Sequence, residues 1–173
     1  RVLRDTTSID TSTSFLGNDL SMPLLLAPIG SLQTFNPEAG AASTRAAAEF
    51  GVMHVVSSVT EPSLEETMAA ADHPKTYQLY IQGDRDWIVE MIGRIKAAGY
   101  AALCITVDTA HYSRRERPLL TRYAPFTRRS PVDPFYQASV TWDTIDRIKD
   151  LAGLPFMLKG IATGEDAAIA VEH

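Results

Sequence analysis

Lys159 closes the apolar run Leu154-Pro155-Phe156-Met157-Leu158 and is followed by Gly160. A lysine leaving the end of a buried strand can hold an anion or the reduced form of a cofactor ring. The plain alternative is a solvated strand-end lysine, and the strand context favours the functional reading. Thr106-Val107-Asp108-Thr109 ends a second apolar run, where hydroxyls and a carboxylate can bond a polar ring edge. Taken alone, turn and cap chemistry is the better account of that tetrad. In Gln78-Leu79-Tyr80 the alternation puts Gln78 and Tyr80 on one face of a strand. The amide can read a pyrimidine-like edge and the phenol can bond a substrate, although both also suit interior packing with satisfied polar tips. Arg114-Arg115-Glu116-Arg117 offers guanidinium forks for a carboxylate, or simply a solvated basic face. Arg128 and Arg129 form a second basic pair. His54, His73 and His111 have no metal-ligand spacing and read as structural or surface residues, so no metal site is expected.

These residues need elements to position them. Short apolar segments at residues 24–27, 53–57, 76–81, 102–107 and 156–159 read as strands buried on both faces. Helical patterns lie between them. Residues 86–98 place Trp87, Ile88, Met91, Ile92 and Ile95 on one face. Ser63-Leu64-Glu65-Glu66 reads as a reciprocal capping box, and Thr163-Gly164-Glu165-Asp166 has the same form. Residues 37–50 are Ala-rich, with Pro37 at a first-turn position. Thr141 is placed to cap a helix running to Leu151. The spacing breaks only at residues 110–140, a segment rich in Pro and Arg that reads as a long irregular loop of the lid or specificity type.

Strand–helix alternation admits two α/β architectures. A doubly wound sheet carries a G-x-G-x-x-G turn after its first strand, whereas here Ala27-Pro28-Ile29-Gly30-Ser31 follows it. A barrel collects polar residues just past its strand ends, as at Ser57, Gln78, Tyr80, Thr106, Asp108 and Lys159. The expected fold class is therefore α/β, a partial (βα)8 TIM barrel holding about the first five strands, since a whole barrel takes about 250 residues. The chain is 173 residues long, 45% hydrophobic and 21% charged, with a net charge of −5. That balance speaks for one globular domain over residues 1–173 and against a nucleic-acid surface. No run reaches the length of a membrane span and no targeting signal is visible. The single cysteine, Cys104, excludes an internal disulfide framework, reads as buried packing, and fits a reducing, cytoplasmic setting.

The motifs, taken in order, resemble the FMN-dependent 2-hydroxy-acid oxidases and dehydrogenases, such as glycolate oxidase, lactate oxidase and mandelate dehydrogenase. The resemblance runs from Arg1-Val2-Leu3-Arg4-Asp5 and Ser21-Met22-Pro23 through Ala27-Pro28-Ile29-Gly30, Pro37-Glu38 and Ser57-Ser58. It continues through Ser63-Leu64-Glu65-Glu66, Gln78-Leu79-Tyr80, Thr106-Val107-Asp108-Thr109 and Arg114-Arg115-Glu116 to Leu158-Lys159-Gly160. It implies that the backbone of Ala27, Pro28, Ile29 and Gly30 lies against the flavin. It implies that Ser57, Gln78 and Thr106 bond the flavin, that Lys159 sits near N1 and O2, and that Tyr80 and Arg115 hold a small 2-hydroxy carboxylate. Departures are Val59 where relatives often carry Trp, and Pro118 where many carry Asp after the Arg-rich motif.

The resemblance also implies residues that do not occur in this chain. Family members carry an S-N-H-G-G-R-Q-L-D-like segment whose His is the base and whose Arg is a second carboxylate clamp, and beyond it a phosphate grip. The base is expected beyond His173, so no catalytic residue is assigned here. The expectation is a chain truncated at both ends, inactive alone, from a parent that oxidises an L-2-hydroxy acid to a 2-oxo acid as a homo-oligomer. The alternative is a non-catalytic half-barrel acting as a binding or assembly module. A nucleotide dehydrogenase of the same barrel class fits less well, because a catalytic Cys loop is missing.

Overall fold

The computed structural model describes residues 3, 5–111, 114–123 and 133–173. Arg128 and Arg129 lie outside the described residues, as do Arg1, Val2 and Arg4 of the opening motif. The described chain opens with an antiparallel hairpin, β1 (Thr13–Phe15) and β2 (Asn18–Leu20). A parallel sheet follows: β3 (Leu25–Leu26), β4 (Met53–Ser57), β5 (Lys75–Leu79), β6 (Ala102–Thr106) and β7 (Phe156–Lys159). The helices are α1 (Ala39–Phe50), α2 (Leu64–Ala69), α3 (Arg85–Ala98), α4 (Glu116–Leu120), α5 (Phe135–Ala138), α6 (Trp142–Ala152) and α7 (Gly164–Glu172).

The strands pair in sequence order, β3-β4-β5-β6-β7, with every pair parallel. A doubly wound sheet reverses its order at a switch point; here the order never reverses. Right-handed crossovers in one direction stack their helices on one face, which is barrel winding. The register shows which face that is. Val56, Tyr77, Leu103 and Phe156 are paired neighbours. With Leu79 and Ile105 they join Leu64 of α2, Met91, Ile92 and Ile95 of α3, and Ile145 and Ile148 of α6 in one apolar core. Ile95, Leu103 and Ile105 are completely buried, and burying such a side chain contributes about 1.5–3 kcal/mol. The opposite face carries Ser57, Gln78, Cys104, Thr106, Met157 and Lys159.

The elements differ from the sequence reading in informative ways. The strand expected at 24–27 shrinks to two residues, and the one at 76–81 starts earlier and ends at Leu79. Pro37 is not in the first turn of α1: Glu38 is the N-cap, so Pro37 shapes the approach and not the helix. Ser63 makes the full reciprocal box with Glu66. Thr163 makes only the forward half, accepting from the Asp166 amide at 3.0 Å while its hydroxyl donates to Asp166 Oδ2 at 2.8 Å. Aspartate is one methylene shorter than glutamate, and its carboxylate takes the hydroxyl instead of the cap amide. Thr141 caps α6, its amide donating to Thr144 Oγ1 at 3.4 Å. Residues 110–140, expected to be irregular, contain α4 and α5. The β1–β2 hairpin was not anticipated. Its turn, with φ of 48° at Leu16 and 75° at Gly17, is the doubly positive kind that Asn-Gly usually announces.

Candidate functional site

The polar residues of the second face gather at the C-terminal ends of the strands. Ser57 ends β4, Gln78 is the penultimate residue of β5, and Thr106 and Lys159 end β6 and β7. Ser57 Oγ donates to Gln78 Oε1 at 3.0 Å, and Gln78 Nε2 donates to Thr106 Oγ1 at 2.8 Å. Gln78 is 1% exposed and Ser57 and Thr106 are 3% exposed, so these bonds are made where water cannot replace them. The chain fixes the orientation of the amide: with Oε1 held by Ser57, the second Nε2 hydrogen and the Thr106 hydroxyl hydrogen remain to be given elsewhere. Thr106 is the register partner of Lys159. The Lys159 side chain is 40% exposed and its ammonium lies 3.7 Å from Asp108 Oδ2, which places a cation at the mouth beside the donors. Cys104, lower on the same face, is buried, and burial, opposed by Lys159, pushes its thiol up to about 11. It is packing, as expected.

Two close approaches set this corner. Gly160 has φ of +109°, and a Cβ built there would stand 2.6 Å from Asp108 Cβ and 3.0 Å from the Asp108 amide nitrogen. Only glycine lets the segment after β6 lie against the end of β7, and that contact brings Asp108 to Lys159. Beside it, Thr109 Oγ1 is buried without a hydrogen-bond partner among the described residues. This hydroxyl, in the segment that leaves β6 after Thr106, has a hydrogen left to give.

The other expected residues lie on the loops around this row. Ala27, Pro28, Ile29 and Gly30 follow β3 directly, with Ile29 53% exposed. Their loop is pinned onto the loop after β4, the Ser31 amide donating to Val59 O at 2.8 Å and the Leu32 amide to Thr60 Oγ1 at 3.3 Å. Tyr80, half-buried, follows β5, and its amide donates to Ser58 Oγ at 3.1 Å. Arg115 is exposed and stands at the N-terminus of α4, in the segment that leaves β6. The sequence reading named Ser58, Thr109 and Gly160 only within their motifs and gave none of them a part of its own. Only the serine pair and the glycine after Lys159 hinted at them.

His54 and His73 are structural. His54, 2% exposed, shares a 2.9 Å bond with Thr44 Oγ1 of α1, and His73 bonds Val52 O at 2.9 Å. His111 is exposed. Among the described residues no group of His, Cys, Asp and Glu could hold a metal, and no helix is long and apolar enough to cross a membrane.

Known proteins resemble this chain over its whole length. The family described as FMN-dependent dehydrogenase matches residues 1–133 and 124–173. Glycolate oxidase of Spinacia oleracea is 31% identical over 195 residues, covering all of this chain and 53% of the relative. 2-Hydroxyacid oxidase 2 of Rattus norvegicus is 32% identical, covering all of this chain and 54% of the relative. A structure of mandelate oxidase with (S)-mandelic acid superposes with a TM-score of 0.87 at 31% identity, over 99% of this chain and 51% of the other. A second mandelate oxidase structure carries an FMN adduct. The chain thus spans about half the length of the relatives it matches, and they are barrel flavoenzymes, in keeping with the winding of the sheet.

Proposed function

We propose, from the premise that this chain belongs to the FMN-dependent dehydrogenase family, that residues 1–173 are part of the barrel domain of an enzyme that oxidises a small L-2-hydroxy acid to the 2-oxo acid. FMN, the family's cofactor, supplies the acceptor for the two electrons of the 2-hydroxy carbon. The observation that carries the reading is the hydrogen-bond row from Ser57 through Gln78 to Thr106, ending beside Lys159 at the strand ends. The residues fit the group: an oriented amide, a hydroxyl, the orphaned Thr109 Oγ1 and a cation together match a heterocycle edge rich in acceptors.

Within this reading Ser57, Gln78 and Thr106 hold the ring edge, and the backbone of Ala27, Pro28, Ile29 and Gly30 flanks the ring. Lys159 stabilises the negative charge that grows on the pyrimidine side. A fixed cation acts there without reorganising at the moment of reaction. The Tyr80 hydroxyl and the Arg115 guanidinium hold the substrate carboxylate, Arg115 through two parallel bonds. The proton of the 2-hydroxy group goes to a base outside these residues, so the 173 residues alone are inactive. The cytoplasm is the proposed compartment and a homo-oligomer the proposed state of the whole enzyme.

The test is made on the full-length protein. It should purify with bound flavin, and the flavin should bleach when a 2-hydroxy acid such as glycolate or lactate is added without oxygen. Lys159→Met should lower the flavin midpoint potential and slow reduction by about 100-fold or more, the scale on which removing one electrostatic contact to developing charge acts. A full-length protein that binds no flavin, or a Lys159→Met variant with unchanged potential, overturns the reading.

A further inference from the structure

Behind the strand-end row, between β5, α2 and α3, lies a cavity of about 250 Å³. Its polar lining includes Tyr77, Tyr80, Gln82, Trp87 and Arg94, with Ser58, Thr60 and Ser63 adding hydroxyls. It belongs to the helix side of the sheet, since Tyr77 packs in the apolar core there. The hydrogen-bonding capacity left in it is mostly donor. Tyr77 is 5% exposed, yet its hydroxyl has no hydrogen-bond partner among the described residues; nor have the Gln82 amide and the Trp87 indole N–H. Arg94 gives Nε and Nη2 to Glu65 at 2.9 and 3.1 Å. Its Nη1 has only the Met91 thioether, at 3.7 Å, a weak acceptor. Burial pushes the Tyr77 phenol up to about 12, with Arg94 near enough to oppose the shift and Glu65 near enough to add to it. The Tyr77 ring is buried while its hydroxyl opens into the cavity and is bonded to no described residue, so it is a donor held in place at the cavity wall.

We propose that this cavity is a second ligand site, distinct from the strand-end row, that takes a small monocarboxylate between the Tyr77 hydroxyl and Arg94 Nη1. The donor excess selects an acceptor-rich ligand. A carboxylate accepts from several donors at once. The bond of Arg94 to Glu65 leaves no net charge to draw a dianion. The volume admits an acid of a few carbons, smaller than a drug-sized ligand. The site shares a wall with the flavin-side residues: the Tyr80 amide bonds Ser58, and the neighbouring Ser57 holds Gln78. A bound acid therefore bears on Tyr80 and Ser58 without occupying the mouth. The inference stands on the cavity and its donors and does not rest on the flavin reading.

The probe is acetate, titrated into the full-length protein at constant ionic strength and followed by saturation-transfer NMR of the methyl protons. Saturable binding in the millimolar range is expected. A hydrogen bond to a charged group is worth about 1.5–3 kcal/mol, so Tyr77→Phe should weaken binding at least about tenfold. Gln82→Leu, at a half-buried position, should weaken it in the same direction, and both losses should persist in an Arg115→Leu background, where the carboxylate clamp proposed for the mouth is gone. Absence of saturable binding overturns the proposal. So does binding lost in Arg115→Leu and kept in both cavity variants, which assigns the acid to the mouth. Flavin content, read separately from absorbance, keeps this outcome apart from failure of the proposed activity.

Discussion

Acid should weaken this fold from the end of the sheet remote from the candidate site, through His54. The imidazole sits at the start of β4, buried against Thr44 of α1 and beside Lys75, its register partner on β5. Burial first, and then repulsion from Lys75, push its pKa down from 6.5 to about 4. His73, half-buried, is turned to Val52 O, and Asp72 acts on Lys75 in the opposite sense. In the native state His54 is neutral over a range in which the unfolded chain carries a proton there. Between pH 6.5 and 4 the unfolded state therefore binds more protons, and stability falls as pH falls; above 6.5 and below about 4 the contribution is flat. A shift of this size, at roughly 1.4 kcal/mol per unit, is worth about 3 kcal/mol. Carboxylates titrate in part of the same window, so the measurement is a difference. Urea unfolding of the wild type and of His54→Gln is followed at intervals from pH 7.5 to 4. The stability gap between them should shrink or reverse by about 3 kcal/mol across the window. A gap that stays constant with pH would mean that His54 does not titrate as its burial and its Lys75 neighbour require.

Gln78→Leu removes the middle of the hydrogen-bond row and strands two buried hydroxyls; it should cost about 2–4 kcal/mol of stability in thermal or urea melts and abolish flavin retention. A variant as stable as the wild type would show that the row is not held against solvent. Gly160→Ala forces a Cβ to 2.6 Å from Asp108 Cβ at φ of +109°; the strain should cost about 1–3 kcal/mol. A crystal structure of that variant should show Asp108 moved away from Lys159, and an unmoved Asp108 would refute the positioning role of the glycine.

What was legible in the sequence follows from how local each cause is. The strands of the parallel sheet are short apolar runs buried on both faces, so composition alone marks them. Lys159 and Thr106 stood out because each breaks such a run at its end. The β1–β2 hairpin did not, because Leu16 takes a positive φ that its residue type disfavours and Asn-Gly would have announced. The approach of Gly160 to Asp108 joins the ends of two different strands. The opening of the Tyr77 hydroxyl into a cavity depends on α3 packing over β5. Contacts of that kind belong to the winding of the sheet, and no spacing within one segment encodes them. The half-box at Thr163 was over-read for the opposite reason: the motif is local, but one methylene decides whether the carboxylate reaches the amide.

Two lysines of the same sheet show how position turns one residue type into two different parts. Lys75 begins β5 and is 1% exposed; its ammonium donates to Ala71 O at 2.5 Å and His73 O at 2.8 Å, carbonyls in the turn that leaves α2. Two of its three hydrogens are committed to the backbone, and burial lowers its pKa. A cation held in this way ties a helix end to a strand start and has little left for a ligand. Lys159 ends β7 and keeps 40% of its side-chain surface, with a carboxylate 3.7 Å away, beyond hydrogen-bond length. It is held loosely enough to turn toward a new anion and lies beside donors already oriented for one. The N-terminal end of the sheet therefore uses its charge to close the structure, and the C-terminal end keeps its charge in reserve. That difference in commitment, and not the presence of a lysine, is the physical reason for looking for the flavin at Lys159.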